Sequence, residues 1–140
     1  MSANILIVED ECVVGLELSC LLEDIGHHVV GVACDAKESA DLSAGGVDVA
    51  VVDLNLADGP TGMEIGRRLA QEHGVSVVFT TANPSTLGEG VAGTLGVLPK
   101  PYAADAVQAA VNYAVGLREG RRPLPPRRMR VFWPQGRCVA

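Results

Sequence analysis

The sequence of 140 residues predicts an α/β protein with a doubly wound, five-stranded parallel sheet. Five short runs rich in Val and Ile alternate along the chain with helical patterns. The runs show little polar alternation, as expected of parallel strands that helices cover on both faces. Four of them lead directly into acids, a hydroxyl or a lysine. Because the carboxyl ends of parallel strands share one edge of the sheet, these polar groups should converge there.

Hydrophobic spacing predicts the first two strand–helix units. Residues 5–8 form a strand-like run, and the apolar residues after it recur at helical spacing: Val14, Leu18, Leu21 and Ile25. Gly26 stands just past this stripe, where the end of a helix favours glycine. Residues 29–33 form the second strand, and Asp35 is suited to cap a short helix that ends near Gly45.

The third unit begins with a buried strand that ends on an acid. Residues 47–53 form this strand, and Asp53 is its last residue. The sequence Asp58-Gly59-Pro60 in the following loop is a turn signal. Thr61, with Glu64 three residues later, has the spacing of a capping box and should open a helix to about residue 74.

The fourth unit carries the weakest helical pattern. Residues 75–80 form its strand, which runs into Thr81. A mobile helix is expected over residues 84–96, although four glycines oppose helix formation there: Gly88, Gly90, Gly93 and Gly96. The fifth strand, residues 97–99, runs into Lys100-Pro101. The last helix then shows an apolar stripe of Val107, Ala110, Val111 and Ala114.

Charge divides the chain into an acidic body and a basic tail. Residues 1–117 hold 16 acids and four basic residues, a net charge of −12, whereas residues 118–140 hold seven arginines and one glutamate, a net charge of +6. The acidic body disfavours nucleic acid as the main partner. We predict a domain over residues 1–117 and a dispensable tail over residues 118–140. The Pro/Arg composition of the tail should keep it out of the sheet, with Phe132-Trp133 as the anchor for a partner.

Several classes of protein are disfavoured by composition. No apolar run approaches the roughly 20 residues of a membrane span, and the N-terminus has no cleavage signal. The four cysteines have neither metal-ligand spacing nor disulfide density, which indicates reduced thiols in a cytoplasm. Cys12 and Cys20 are interpreted as small core residues. The three histidines, His27, His28 and His73, are expected at the surface.

The polar residues at the strand ends favour phosphoryl chemistry. Three carboxylates at one edge repel one another by roughly 4 kcal/mol per close pair at an effective dielectric constant of 20, so a positive group should lie among them. The ligand set of Glu9, Asp10 and Asp53 contains oxygen alone and favours Mg²⁺ or Mn²⁺ over zinc. Lys100 supplies a second positive charge. An aspartate can attack phosphorus to form an acyl phosphate.

Five short motifs, in order, give the chain a family resemblance. They are Glu9-Asp10-Glu11 after strand one, Asp53 in Val-Val-Asp-Leu-Asn-Leu, Gly59-Pro60-Thr61-Gly62, Thr81-Ala82 after strand four, and Lys100-Pro101-Tyr102 after strand five. Over about residues 3–117 the chain resembles the receiver domains of two-component response regulators, the CheY-like variant of the flavodoxin-like fold. The resemblance implies a (βα)5 architecture with strand order 2-1-3-4-5.

The resemblance also implies the role of each site residue. Asp53 would accept phosphate from a histidine kinase or a histidine phosphotransfer protein, with Mg²⁺ bound by Glu9, Asp10, Asp53 and the backbone carbonyl of Asn55. Thr81 would follow the phosphoryl group, and Lys100 would pair with it across a cis Lys100–Pro101 bond. Asn55 and Asn83 occupy positions that tune dephosphorylation in the family, although each could equally be an ordinary loop asparagine.

Two features predict how the protein signals: one residue that departs from the family pattern, and the number of residues after position 117. Receivers usually carry Tyr or Phe three residues before the strand-five lysine, where this chain has Val97, so activation is expected to work through residues 84–96 instead. The 23 residues after position 117 are too few for a DNA-binding output domain or an enzyme. A stand-alone phosphoprotein is therefore expected, one that is not an enzyme and that signals to an unknown downstream protein. Whether it forms a homodimer is left open.

Three other classes of protein fit the sequence less well than a receiver domain. A haloacid-dehalogenase-like phosphatase, which also forms an aspartyl phosphate, would need Asp-x-Asp directly after strand one. A flavodoxin-like flavin carrier would need a Ser/Thr/Gly-rich loop there, and this chain has Glu9-Asp10-Glu11 instead. A degenerate receiver that only binds partners is disfavoured by the intact set of acids.

Overall fold

The computed structural model of the protein describes residues 2–56 and 59–132. Asp58 and Trp133, named above, lie outside them. The strands are β1 (Asn4–Val8), β2 (His28–Ala33), β3 (Val49–Asp53), β4 (Ser76–Thr81), β5 (Gly96–Pro99) and β6 (Arg130–Val131). The helices are α1 (Cys12–Asp24), α2 (Ala36–Ser43), α3 (Gly62–His73) and α4 (Ala104–Arg118), with a 3-10 turn at Pro84–Leu87. No helix in these ranges is long and apolar enough to cross a bilayer.

The sheet has the order β2-β1-β3-β4-β5-β6, and the predicted order of the five parallel strands is confirmed. All five residues of β3, the central parallel strand, are buried. Alternate residues of β1 enter separate cores, with Leu6 on the side that holds Ile65 and Leu69 of α3. Ile5 and Ile7 lie on the opposite side, with α1 and α4. Burial on both faces explains why the strands lack polar alternation.

The helix predicted over residues 84–96 does not form. Only Pro84–Leu87 makes a single 3-10 turn, and the following glycines Gly88, Gly90 and Gly93 all have positive φ values, between 55° and 130°. An α-helix needs negative φ at every residue, and glycine is also the weakest helix former after proline. Over residues 2–56 and 59–132 there are therefore four α-helices, with an irregular glycine-rich segment between β4 and β5.

The prediction that the tail stays out of the sheet is wrong for residues 130 and 131. β6 pairs antiparallel with β5, in the register Gly96↔Val131 and Val97↔Arg130. The last proline before β6 is Pro126, so residues 129–132 keep their backbone N–H groups and can join a sheet edge. Helix α4 does end at Arg118, next to the predicted boundary, and the boundary itself stays a prediction.

Two further predictions about burial are wrong. His27 is buried, because its Nδ1 accepts a hydrogen bond from the Ala3 N–H and its Nε2 lies 2.9 Å from Oδ1 of Asn112 on α4. His28 and His73 are exposed as expected. Cys12 and Cys20 are also exposed, because α1 buries the face that carries Gly15, Leu18 and Leu22.

Candidate functional site

The carboxyl ends of four parallel strands bring the predicted polar residues to one edge of the sheet. Glu9 and Asp10 follow β1, Asp53 ends β3, Thr81 ends β4 and Lys100 follows β5. The ends of β4 and β5 are tied by a hydrogen bond of 2.8 Å from the Lys100 N–H to the Thr81 carbonyl. This edge is where ligands bind in open parallel sheets.

The three acids form a compact oxygen cluster. One carboxylate oxygen from each of Glu9, Asp10 and Asp53 lies within 4.8 Å of the others. Glu9 is only 3% exposed and Asp53 only 5% exposed, whereas Asp10 is half-buried. A buried cluster of carboxylates with no histidine or cysteine among its members has the chemistry of a site for a hard divalent cation.

The Asp53 carboxylate is held at both oxygens. Lys100 donates from Nζ to Oδ2 at 2.7 Å, and the backbone N–H of Asn55 donates to Oδ1 at 3.0 Å. Desolvation works to lower the pKa of Lys100, but the hydrogen bond and the negative charge of Asp53 outweigh it, so the pKa is raised. Lys100 therefore stays charged at neutral pH and offsets part of the repulsion within the cluster.

Burial and the neighbouring acids disfavour the ionised form of Glu9. Its carboxylate accepts a hydrogen bond from the Glu11 N–H at 3.2 Å. Burial, the largest cause, together with the nearby charge of Asp53, raises the pKa of Glu9 from 4.5 to about 7. A bound cation would reverse this effect, because positive charge favours the ionised carboxylate.

The raised pKa of Glu9 predicts that the metal-free protein loses stability as pH rises. Folded Glu9 holds its proton up to about pH 7, whereas the unfolded chain releases it near 4.5. The contribution of this proton to stability is thus complete below about pH 4.5 and is lost as pH rises through 7. Urea unfolding in chelator should show the free energy of unfolding falling by on the order of 1–2 kcal/mol from pH 5 to pH 8 through this group.

A pair of variants isolates the contribution of Glu9. Glu9→Gln should be less sensitive to pH than wild type over this range, because its amide carries no proton to lose. Glu23→Gln, on the exposed side of α1, should keep the wild-type pH dependence. Equal pH dependence in wild type and Glu9→Gln would contradict the prediction. Mg²⁺ added at pH 8 should stabilise wild type.

The remaining predicted residues line a small cleft beside Asp53. Asn55, Thr81 and Asn83 contribute to a cleft of about 100 Å³ that Leu54, Pro60, Met63 and Thr86 complete. Thr81 is buried, and its Oγ1 accepts a hydrogen bond of 3.1 Å from the Asn83 N–H. Asn55 and Asn83 expose their side chains to solvent. The Lys100–Pro101 bond is cis, as expected.

Sequence reasoning assigned no role to Gly62, which the structure places against the site. A Cβ at Gly62 would overlap the Asp53 carbonyl oxygen and would lie 2.6 Å from Cα of Leu54. The Gly62 N–H also donates to the Leu54 carbonyl at 3.1 Å, which fixes the start of α3 against the loop after Asp53. The available signal was a glycine at the first position of a helix, where a better helix former would normally stand.

Comparison with known proteins agrees with this geometry. Residues 5–112 match the response regulator receiver domain family. A curated relative, the phyllosphere-induced regulator PhyR of Methylorubrum extorquens, is 30% identical over 125 residues, which cover 87% of this chain and 47% of the relative. The chain thus spans about half the length of the curated relative that it matches.

Solved structures show the same similarity. The response regulator PhyR from Brucella abortus matches with a TM-score of 0.76 and 26% identity, over 86% of this chain and 50% of that one. The solution structure of the PhyR receiver domain of Erythrobacter litoralis matches with a TM-score of 0.75 and 26% identity, over 88% of this chain and 97% of that one.

Proposed function

The chain belongs to the response regulator receiver domain family, and on this basis we propose that Asp53 is the phosphoacceptor of a two-component signalling system. The donor is a histidine kinase or a histidine phosphotransfer protein. The observation that carries the proposal is the placement of the buried Asp53 carboxylate between the Lys100 ammonium, 2.7 Å away, and the carboxylates of Glu9 and Asp10. An isolated surface aspartate would have neither neighbour.

The transfer step uses Asp53 as a nucleophile. A carboxylate oxygen attacks phosphorus, the new O–P bond gives an acyl phosphate, and the P–N bond to the donor imidazole breaks. Phosphoryl transfer asks the protein mainly for positioning and for compensation of charge on the phosphoryl oxygens. Lys100 is charged and already hydrogen-bonded to Oδ2, so it is placed to pair with a phosphoryl oxygen once the acyl phosphate has formed.

A hard cation fits the acidic cluster. Glu9, Asp10 and Asp53 would hold Mg²⁺ with the backbone carbonyl of Asn55, and this is supported by the oxygen-only donor set and by the spacing of its three carboxylates, whose oxygens lie within 4.8 Å of one another. When bound, Mg²⁺ neutralises charge on the acids and on the transferred group.

The other cleft residues act on the phosphorylated state. The Thr81 hydroxyl would donate to a phosphoryl oxygen, and this would shift its bond with the Asn83 N–H. Asn55 and Asn83, exposed at the mouth of the cleft, would control the access of water to the acyl phosphate. The bond from Asn83 to Thr81 links the site to the glycine-rich segment that starts at Pro84, which we propose as the part that rearranges.

Output is proposed to be protein–protein contact rather than catalysis, in a cytoplasmic setting. The similarity to PhyR regulators supports a signalling role and disfavours the phosphatase alternative.

The direct test is phosphorylation of the full chain by acetyl phosphate, read by intact mass. With Mg²⁺ we expect one phosphate per chain, and with excess chelator none. Asp10→Ala should lose both Mg²⁺-dependent stabilisation and phosphorylation, because the cation loses a ligand. Equal phosphorylation in chelator would contradict the role of the metal. Absence of phosphate under every condition would favour the degenerate, partner-binding receiver.

A further inference from the structure

The last described segment, Met129 to Phe132, closes the open edge of the sheet. β6 pairs with β5, and the Phe132 N–H donates to the Leu95 carbonyl at 2.9 Å. Met129 is buried in the core shared with α1 and α4, whereas Phe132 is 8% exposed and enters the opposite core. The residues on either side of β6 thus contribute to both layers, because successive residues of an extended segment point to opposite faces of the sheet.

Two glycines of the body leave room for this segment. A Cβ at Gly90 would lie 2.6 Å from Cγ of Phe132, and a Cβ at Gly96 would overlap the carbonyl oxygen of Arg130. The Phe132 ring lies 6.4 Å from the ring of Phe79 on β4. Glycine at positions 90 and 96 therefore lets residues 129–132 pack closely against the domain, and any larger residue would obstruct this packing.

Arg130 connects this segment to the glycine-rich stretch after β4. It donates to the Pro84 carbonyl at 3.0 Å, at the start of the 3-10 turn, and to the carbonyl of Gly88, the residue after the turn, at 2.8 Å. Its guanidinium also lies 5.3 Å from the centroid of the Phe132 ring. The turn starts directly after Asn83, whose N–H binds the Thr81 hydroxyl of the candidate site.

The chain that leads to this segment is suited to release it. Pro123, Pro125 and Pro126 keep the linker out of regular structure, and Leu124 is 90% exposed. Detachment of residues 129–132 would uncover the backbone of β5, and an unpaired sheet edge is a site where an extended partner segment can add.

We propose that residues 129–132 form an autoinhibitory strap, which covers the β5 edge and holds the 3-10 turn until Asp53 is phosphorylated. The trigger rests on the proposed function, because movement of Thr81 and Asn83 would displace the carbonyls that bind Arg130. With the strap seated, no partner can pair with β5.

The strap itself is tested by amide exchange on the unphosphorylated full chain. Arg130→Ala should speed exchange in residues 129–132 and 84–90 together by about tenfold or more, since two charged hydrogen bonds are lost. Arg128→Ala removes an exposed arginine two residues away and should leave both regions unchanged. Phe132→Ala should release the strap as Arg130→Ala does. Unchanged exchange in Arg130→Ala, or full exchange of residues 129–132 in wild type, would overturn the strap.

The trigger is tested on the same chain after treatment with acetyl phosphate and Mg²⁺, with intact mass measured in parallel. In samples that carry phosphate, exchange at residues 129–132 should rise by about tenfold. Phosphorylated protein with unchanged exchange there overturns the strap as a regulatory device and leaves the phosphoacceptor role intact. If no phosphate is added, the proposed function and the trigger both fail, and the comparison of Arg130→Ala with Arg128→Ala decides the strap separately.

Discussion

Asp53→Asn should take up no phosphate from acetyl phosphate and Mg²⁺ under conditions in which wild type takes up one per chain. The amide keeps the size of the side chain but lacks the nucleophilic carboxylate that forms an acyl phosphate. Glu9 and Asp10 remain in the variant, yet we assign them to the cation rather than to the phosphoryl group. Intact mass gives the stoichiometry, and circular dichroism checks that the variant is folded.

A matched control is Asp41→Asn. Asp41 lies on α2, where its exposed carboxylate pairs with Lys37 at 3.5 Å, away from the acidic cluster. This variant should take up phosphate as wild type does, since an exposed ion pair contributes little to stability. A phosphate adduct that persists in Asp53→Asn would refute Asp53 as the sole acceptor, and peptide mapping would then locate the other site.

Gly62→Ala should disrupt both folding and phosphorylation. The new Cβ would meet the backbone of Asp53 and Leu54, which cannot move aside as a flexible side chain could. Either α3 shifts outward or the Asp53 loop is displaced, at an expected cost of about 3 kcal/mol. Chemical unfolding should show this loss, and the folded fraction should take up phosphate far more slowly than wild type.

Helix propensity alone predicts the opposite sign for this substitution. Alanine exceeds glycine by about 1 kcal/mol inside helices, so a Gly62→Ala variant governed by propensity would be more stable than wild type. Gly45→Ala is the control, because the nearest atom to its Cβ is the Leu42 carbonyl oxygen at 3.8 Å. Equal stability of the Gly62→Ala variant and wild type would refute close packing at this position.

The sequence by itself determined the parallel sheet and the placement of its polar edge. Buried runs such as residues 49–52 bear apolar side chains on both faces, so their length and composition identify central strands without tertiary information. Asp53 and Lys100 follow directly from this, because each stands at the carboxyl end of a predicted strand. Local chemistry likewise sufficed at Asp35, whose carboxylate accepts a hydrogen bond from the Glu38 N–H at the start of α2.

Only the tertiary structure explains the burial of His27 and the need for glycine at position 62, because both depend on residues or backbone brought together by the fold. His27 is buried because Asn112, 85 residues away, meets its ring, and nothing near His27 in sequence indicates this. Gly62 is required because the start of α3 lies so close to the backbone of Asp53 that no Cβ fits between them.

The tail shows the same limit most clearly. Its overall Pro/Arg composition predicted a segment outside the fold, and this average concealed two consecutive residues that pair with β5. Met129 and Phe132 are buried because β5 presents an open edge and because Gly90 and Gly96 leave the space that the segment fills. Composition describes a segment by itself, whereas the open edge of β5 and the space beside Gly90 and Gly96 exist only in the folded domain. The tertiary structure alone therefore decided that Arg130 and Val131 join the sheet.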